Sequence, residues 1–414
     1  MVESLAQAPD ALFVRYPRAS SAVMLTMLSS KRETPRRRSS SLLALAGFLA
    51  LGPAHAQNRN EPIDGLVTRG VSLFKSGDLR GAEAALKRAL ELSPNSVEAR
   101  QWLGTVYRQE GRSGDAVREL EGARQLRPAS ARIVYDLAST YFEAGLYDRA
   151  IAVLEGANRQ IPRSAEFFRL LGDAYVEIGR FPEGIRYLRK SLQLDPSSSG
   201  TCYDLGLALL KAESPREAAD FLERAARKFP SSFEVQTALG IAQYMKGANQ
   251  EAEMSFQRAL KLGKDPSTMY LFLGDFYLGV GRVPEAIAAY RKAISLDPAD
   301  SRVYYQYGIA LARQGQLDEA IQSLQKVIQI HPASSAAYIQ MARVFLKSGR
   351  LLEAKTALET AIHIDAYDRE AYYQLALVLQ RLGEKQQADD ALKTWNQLDP
   401  SRASDAAREA GPKP

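Results

Sequence analysis

The sequence predicts an all-α solenoid of about twenty antiparallel helices, and three periodic features predict it. The hexapeptides QLDPSS (193–198), SLDPAD (295–300) and QLDPSR (397–402) recur at intervals of 102 residues, three times 34. Steps of 34 from Pro94 meet Pro128, Pro162, Pro196, Pro230, Lys264, Pro298, Pro332, Ala366 and Pro400, so eight of these ten points are proline. Small residues keep the same beat. Gly or Ala stands at 70, 104, 138, 172, 206, 240, 274, 308, 342 and 376, and again at 82, 116, 150, 184, 218, 252, 286, 320, 354 and 388.

Each period resolves into a helix, a turn, a second helix and a stop. Between the two small positions lies a turn residue: Gly77, Gly111, Gly145, Gly179, Glu213, Gly247, Gly281, Gly315, Gly349 and Gly383. Glycine after a helical run suits a left-handed C-terminal cap, which a residue without a Cβ adopts cheaply. Proline then closes the second helix, because it cannot extend the hydrogen-bond ladder. Each unit is therefore two helices of roughly 13 residues. The small positions let the paired helices approach to ~8–10 Å. Larger residues such as Leu86, Leu120, Leu154, Leu188, Leu222, Phe256 and Tyr290 fill in around them. Ten repeats follow without a gap, at 63–96, 97–130, 131–164, 165–198, 199–232, 233–266, 267–300, 301–334, 335–368 and 369–402. In the tenth, Trp395 occupies the place of Ala259, Ala293 and Ala361, where it is expected to block a further repeat.

The segment before the repeats reads as a secretory signal. A cationic KRETPRRR from Lys31 precedes an apolar run from Leu42 to Leu51, then small residues at Ala54 and Ala56. That run is short for a membrane-spanning helix of ~20 residues, and no cysteine follows it to carry a lipid anchor. Export to the periplasm or cell envelope is expected, with cleavage after Ala56 and no integral membrane span in the mature chain. Residues 1–26 then read as an upstream extension ahead of a start at Met24 or Met27, 27–56 as the signal, 57–62 as a linker and 403–414 as a short tail.

The composition, 46% hydrophobic and 25% charged, is that of a soluble chain. Its net charge of +6 comes mostly from residues 1–56, after which 47 basic face 45 acidic side chains. That balance gives no support to a nucleic-acid partner. The single cysteine, Cys202, cannot form an intrachain disulfide and aligns with Phe168, Tyr270, Tyr304 and Tyr338, a packing position. The three histidines, His55, His331 and His363, have no spacing that builds a catalytic or metal triad, and there is no phosphate-binding or dinucleotide fingerprint. No enzyme activity, cofactor or metal is expected.

The residues Tyr270, Leu273, Gly274, Tyr277, Ala286, Tyr290, Ala293 and Pro298 show best what the chain resembles: a tetratricopeptide repeat (TPR) protein. The resemblance spans 63–402. It implies a right-handed superhelix whose first helices line a concave face that holds a protein or peptide. Carried onto this sequence, that face comprises Tyr135, Phe142, Arg169, Asp173, Tyr203, Tyr244, Leu278, Tyr305, Arg313, Arg343, Lys347, Tyr373 and Arg381. The row is rich in tyrosine, which offers apolar area and a hydroxyl at low entropic cost. The Asn and Lys ladder of the relatives that clamp a C-terminal carboxylate is not present.

Charge along this face is uneven. Asp136, Glu143, Glu166, Asp173, Glu177 and Asp204 outnumber Arg132, Arg169 and Lys211 in repeats three to five, whereas Arg302, Arg313, Arg343, Lys347 and Arg381 outnumber Glu370 in repeats eight to ten. A partner of opposite polarity, or a second copy in a homo-oligomer, would complement it. The expectation is a non-catalytic scaffold for an envelope assembly or export complex. The alternative is an accessory or substrate-recognition subunit of an envelope enzyme, such as a glycosyltransferase or polysaccharide synthesis system.

Overall fold

A computed structural model of the chain describes residues 62–157 and 163–398. Those residues form twenty α-helices and no strand, the all-α repeat fold that the 34-residue period predicts. The signal segment, its expected cleavage site, His55, Pro162, Pro400 and the tail 403–414 lie outside the described residues.

The helices divide by packing into two compact units, one ending at Ala242 and one beginning at Gln243. The first holds five hairpins: α1 (Ile63–Ser76) with α2 (Leu79–Leu92), α3 (Val97–Gln109) with α4 (Ser113–Leu126), α5 (Ala131–Glu143) with α6 (Tyr147–Glu155), α7 (Ala165–Glu177) with α8 (Phe181–Leu194), and α9 (Ser199–Lys211) with α10 (Pro215–Lys228). The boundary falls inside α11 (Phe233–Lys246). The second unit continues with α12 (Asn249–Lys261), then α13 (Pro266–Gly279) with α14 (Val283–Leu296), α15 (Ser301–Gln314) with α16 (Leu317–Ile330), α17 (Ser335–Lys347) with α18 (Leu351–Ile364), and α19 (Arg369–Leu382) with α20 (Lys385–Gln397). Within each unit, first helices of successive repeats also touch one another.

Local chemistry explains the boundaries. First helices are capped by short polar side chains: Ser164 accepts from the Phe167 amide at 3.2 Å, Ser198 from Thr201 at 3.1 Å and Asp265 from Thr268 at 3.1 Å. They end on the predicted turn residues, all of which have positive φ, including Glu213 at 54°. The next amide reaches back to close the cap, as Arg112 does to the Tyr107 carbonyl and Arg180 to Tyr175, both at 2.9 Å.

Two elements depart from the regular pattern. The helix α6 has 9 residues rather than about 13, ending before Gly156, a poor helix former. The proline comb misses at Lys264 because α12 ends early, Gly263 turns at φ 66°, and Pro266 opens α13 as its first residue.

The core sits between paired helices. At Gly206 an added Cβ would fall 2.5 Å from Leu222 Cδ2, and at Gly104 2.6 Å from Leu120 Cγ, so the opposing leucine occupies the space a side chain would need. Leu120, Leu154, Leu188 and Leu222 are fully buried there. Cys202 is buried too, and burial pushes its thiol pKa up, as a packing residue requires. Trp395 folds onto its own repeat: its ring lies 5.5 Å from Tyr373, and the Arg369 guanidinium sits 4.4 Å over it.

Candidate protein-binding surface

The candidate residues fall on four positions of the first helix. The fifth position carries Tyr135, Arg169, Tyr203, Tyr305 and Tyr373, all half-buried. Each keeps part of its side chain in solvent while its base packs between neighbouring helices. The position is tyrosine in four repeats and half-buried Gln101 in another, while Val67, Thr237, Leu271 and Ile339 are buried there, so the half-exposed tyrosines stand two or three repeats apart. At the thirteenth position Arg313 is half-buried, and Lys347 and Arg381 are exposed.

Three of the expected contacts are interior. Asp173, Tyr244 and Leu278 are buried, at 8%, 9% and 4% exposure. Tyr244 and Leu278 share the twelfth position with Val176, Leu210 and Leu346, all buried, because this face of the helix turns toward the next first helix. Phe74, Arg108 and Phe142 keep partial exposure there and Gln380 is exposed, with Phe142 edge-on to Tyr147 at 5.2 Å. The mostly apolar residues at this position were visible in the sequence and mark it as packing in the middle repeats. Tyr244 packs edge-on against Phe276 at 5.5 Å, and burial, then the nearby Asp275 charge, raise its hydroxyl pKa.

The charges are largely engaged with one another across repeat junctions. In the first unit Gln101 donates to Asp136 at 2.7 Å, Arg169 Nε to Asp204 Oδ2 at 2.6 Å and Lys211 to Glu177 at 3.0 Å, while Arg108 and Glu143 lie 3.7 Å apart. In the second, Arg313 donates to the Leu278 carbonyl at 3.2 Å and Lys347 to that of Ala312 at 2.8 Å. All six links join residues 34 or 35 apart. Arg343 pairs with Glu370 at 2.7 Å and Arg302 with Asp300 at 2.6 Å. The acidic and basic stretches read from sequence are therefore in good part an internal ladder, and their apparent polarity overstates the charge presented to a partner. Opposite charges one period apart on first helices were the signal that could have revealed it.

Sequence reasoning also missed a buried polar pair. Tyr290, at the position leucine usually holds, donates to Asp275 Oδ1 at 2.7 Å with both side chains buried. Burial pushes the Asp275 pKa up to about 7 against the opposing pull of Tyr290 and Arg302, and its second oxygen has no hydrogen-bond partner. His331 and His363 are exposed, the first just past the end of α16 and the second near the end of α18. No group of His, Cys, Asp and Glu among the described residues could hold a metal ion, and none of their helices is long and apolar enough to cross a membrane.

Comparison with known proteins agrees with this architecture. Tetratricopeptide repeat models match residues 67–131, 107–174 and 165–198, and a model of the C-terminal domain of cilia and flagella-associated protein 70 matches 205–408. A tetratricopeptide repeat protein from Parabacteroides merdae superposes with a TM-score of 0.51 at 17% identity, over 60% of this chain and 98% of that one. The hetero-tetramer structure of Cut9 with Hcn1 gives 0.42 at 13% identity, over 84% and 96%, and yeast Tom70 gives 0.40 at 13%, over 82% and 92%. No curated protein matches the sequence.

Proposed function

We propose, from the premise that this chain is a tetratricopeptide repeat protein, that it is a non-catalytic scaffold which binds partner proteins along its row of first helices in the cell envelope. The observation that carries this reading is the fifth position of the first helices, where Tyr135 and Tyr203 in the first unit and Tyr305 and Tyr373 in the second hold half-exposed aromatic rings two repeats apart. Buried at their base and wet at their tip, such rings bind with little loss of side-chain freedom. Within each unit the charge ladder keeps neighbouring first helices in register, so the tyrosines of that unit are presented preorganised. The envelope address rests on the signal-like segment before Gln57.

Cross-linking capture with the tagged chain from its own cells, compared with the Tyr203→Ala/Tyr305→Ala/Tyr373→Ala variant, tests the reading. Envelope assembly components retained by the natural chain and lost by the variant support it. A partner set unchanged by the variant overturns the surface assignment. Sequencing the N-terminus of the purified protein tests the address, which predicts a start at Gln57.

A further inference from the structure

In repeats three, four and seven a tyrosine near the end of the first helix reaches back to the preceding second helix, and repeat five, directly after two of them, has no such tyrosine. Tyr141 donates to Glu121 at 2.5 Å, Tyr175 to Glu155 at 2.6 Å and Tyr277 to Glu253 at 2.7 Å, each reaching from the end of a first helix to the preceding second helix. An arginine just past the turn covers the ring: Arg112 over Tyr107 at 4.1 Å, Arg180 over Tyr175 at 4.8 Å and Arg282 over Tyr277 at 4.5 Å. In repeat five the tyrosine becomes Leu209, the turn glycine Glu213 and the arginine Ser214. On the preceding second helix, the place of Glu121 and Glu155 is taken by Arg189.

At this junction lies a cleft of about 330 Å³ between α8 and α10. Leu205 and Leu209 of α9 form its floor, Leu192 and Phe221 its apolar walls, and Arg189 and Arg224 stand on its rim. Leu194, just beyond Leu192, is 57% exposed. The flanking helices are cationic, with Arg186, Arg189, Lys190, Arg216, Arg224, Arg227 and Lys228 against Glu183, Glu217, Asp220 and Glu223. Arg189 pairs with Glu217, but both side chains are 54% exposed, and a surface pair of this kind exchanges partners at little cost.

We infer that this cleft is a second docking site, on the second-helix side of the first unit, for an acidic peptide segment of a partner protein. One bulky apolar side chain of that segment would rest against Leu192 and Phe221, above the buried Leu205 and Leu209, and an adjacent carboxylate would meet Arg224 and Arg189. Leucine in place of the tyrosine keeps the floor apolar, and replacement of glutamate by arginine selects the charge.

The test is an array of random immobilised heptapeptides probed with the labelled natural chain and with Leu209→Tyr, which introduces the tyrosine that repeats two, three, four and seven carry. The natural chain should retain peptides combining Asp or Glu with Phe, Leu or Trp. Leu209→Tyr should lower their signal at least about tenfold while Gly114→Ala, a site with nothing within 4 Å, keeps it. If circular dichroism shows Leu209→Tyr to be unfolded, the exposed Arg224→Glu replaces it, with the same loss expected. The inference is overturned by an array with no acidic and apolar binders, by binders that survive the substitution, or by a selected set rich in lysine and arginine.

Discussion

Tyr290 and Asp275 meet by a 2.7 Å hydrogen bond in the core of the seventh repeat, where other repeats pack leucine against a small residue. The tyrosine ring is accommodated because Gly274, beside Asp275, has no side chain to collide with it.

This pair makes stability depend on pH. The Asp275 pKa is pushed from 3.8 to about 7, so between those values the folded chain holds a proton that the unfolded chain has released. Its contribution is complete below about pH 4 and is lost as pH rises to about 7, on the order of 4 kcal/mol in all. Urea titrations across this range should show the decline in the second unit. Asp275→Asn, whose amide oxygen still accepts from Tyr290, should flatten it; an unchanged slope would exclude Asp275 as the source.

Glu213 holds the left-handed turn that glycine holds in the other nine repeats, with φ 54°. Glu213→Gly should therefore raise stability by about 1 kcal/mol, measured by chemical denaturation. The reciprocal Gly281→Ala, at φ 81°, should lower it by a similar amount.

Helix glycines divide by what faces them. Gly206→Ala would place its Cβ 2.5 Å from Leu222 Cδ2 and should cost roughly 1–3 kcal/mol through overpacking. Gly114→Ala, with nothing within 4 Å, should be neutral or gain up to about 1 kcal/mol. Equal effects at the two sites would show that helix propensity alone governs both.

The repeat-to-repeat ladder should show up as coupling. Arg169 and Asp204 meet at 2.6 Å with the Asp204 side chain only 2% exposed. A double-mutant cycle with alanine at both should give an interaction of about 1–3 kcal/mol. The Arg180–Glu183 pair, local to one turn at the surface, should give little or no measurable coupling.

Fold and site differ in how much of them was legible in the sequence. The helical repeat could be read because close backbone approach and left-handed turns each admit few residue types, and ten copies display the restriction in phase. The surface was less legible because exposure depends on a few tens of degrees around the helix axis. Tyr203, at the fifth position, stays half in solvent whereas Tyr244, at the twelfth, is buried, yet the same two positions reverse in other repeats, where Leu271 is buried and Phe142 half-exposed. The ladder escaped notice because its members are ordinary surface residues until paired one period apart. Tyr290 looked like one more packing residue, since its hydroxyl gains meaning only beside Asp275.

The ladder also makes the repeats non-interchangeable. Arg169 finds Asp204 because 35 residues separate them. Excising residues 199–232 as a whole module would preserve every glycine and proline beat, yet bring Ala238 to that place and strand the guanidinium. Each repeat thus carries an address as well as a shape, and the order of the array is written into its charges.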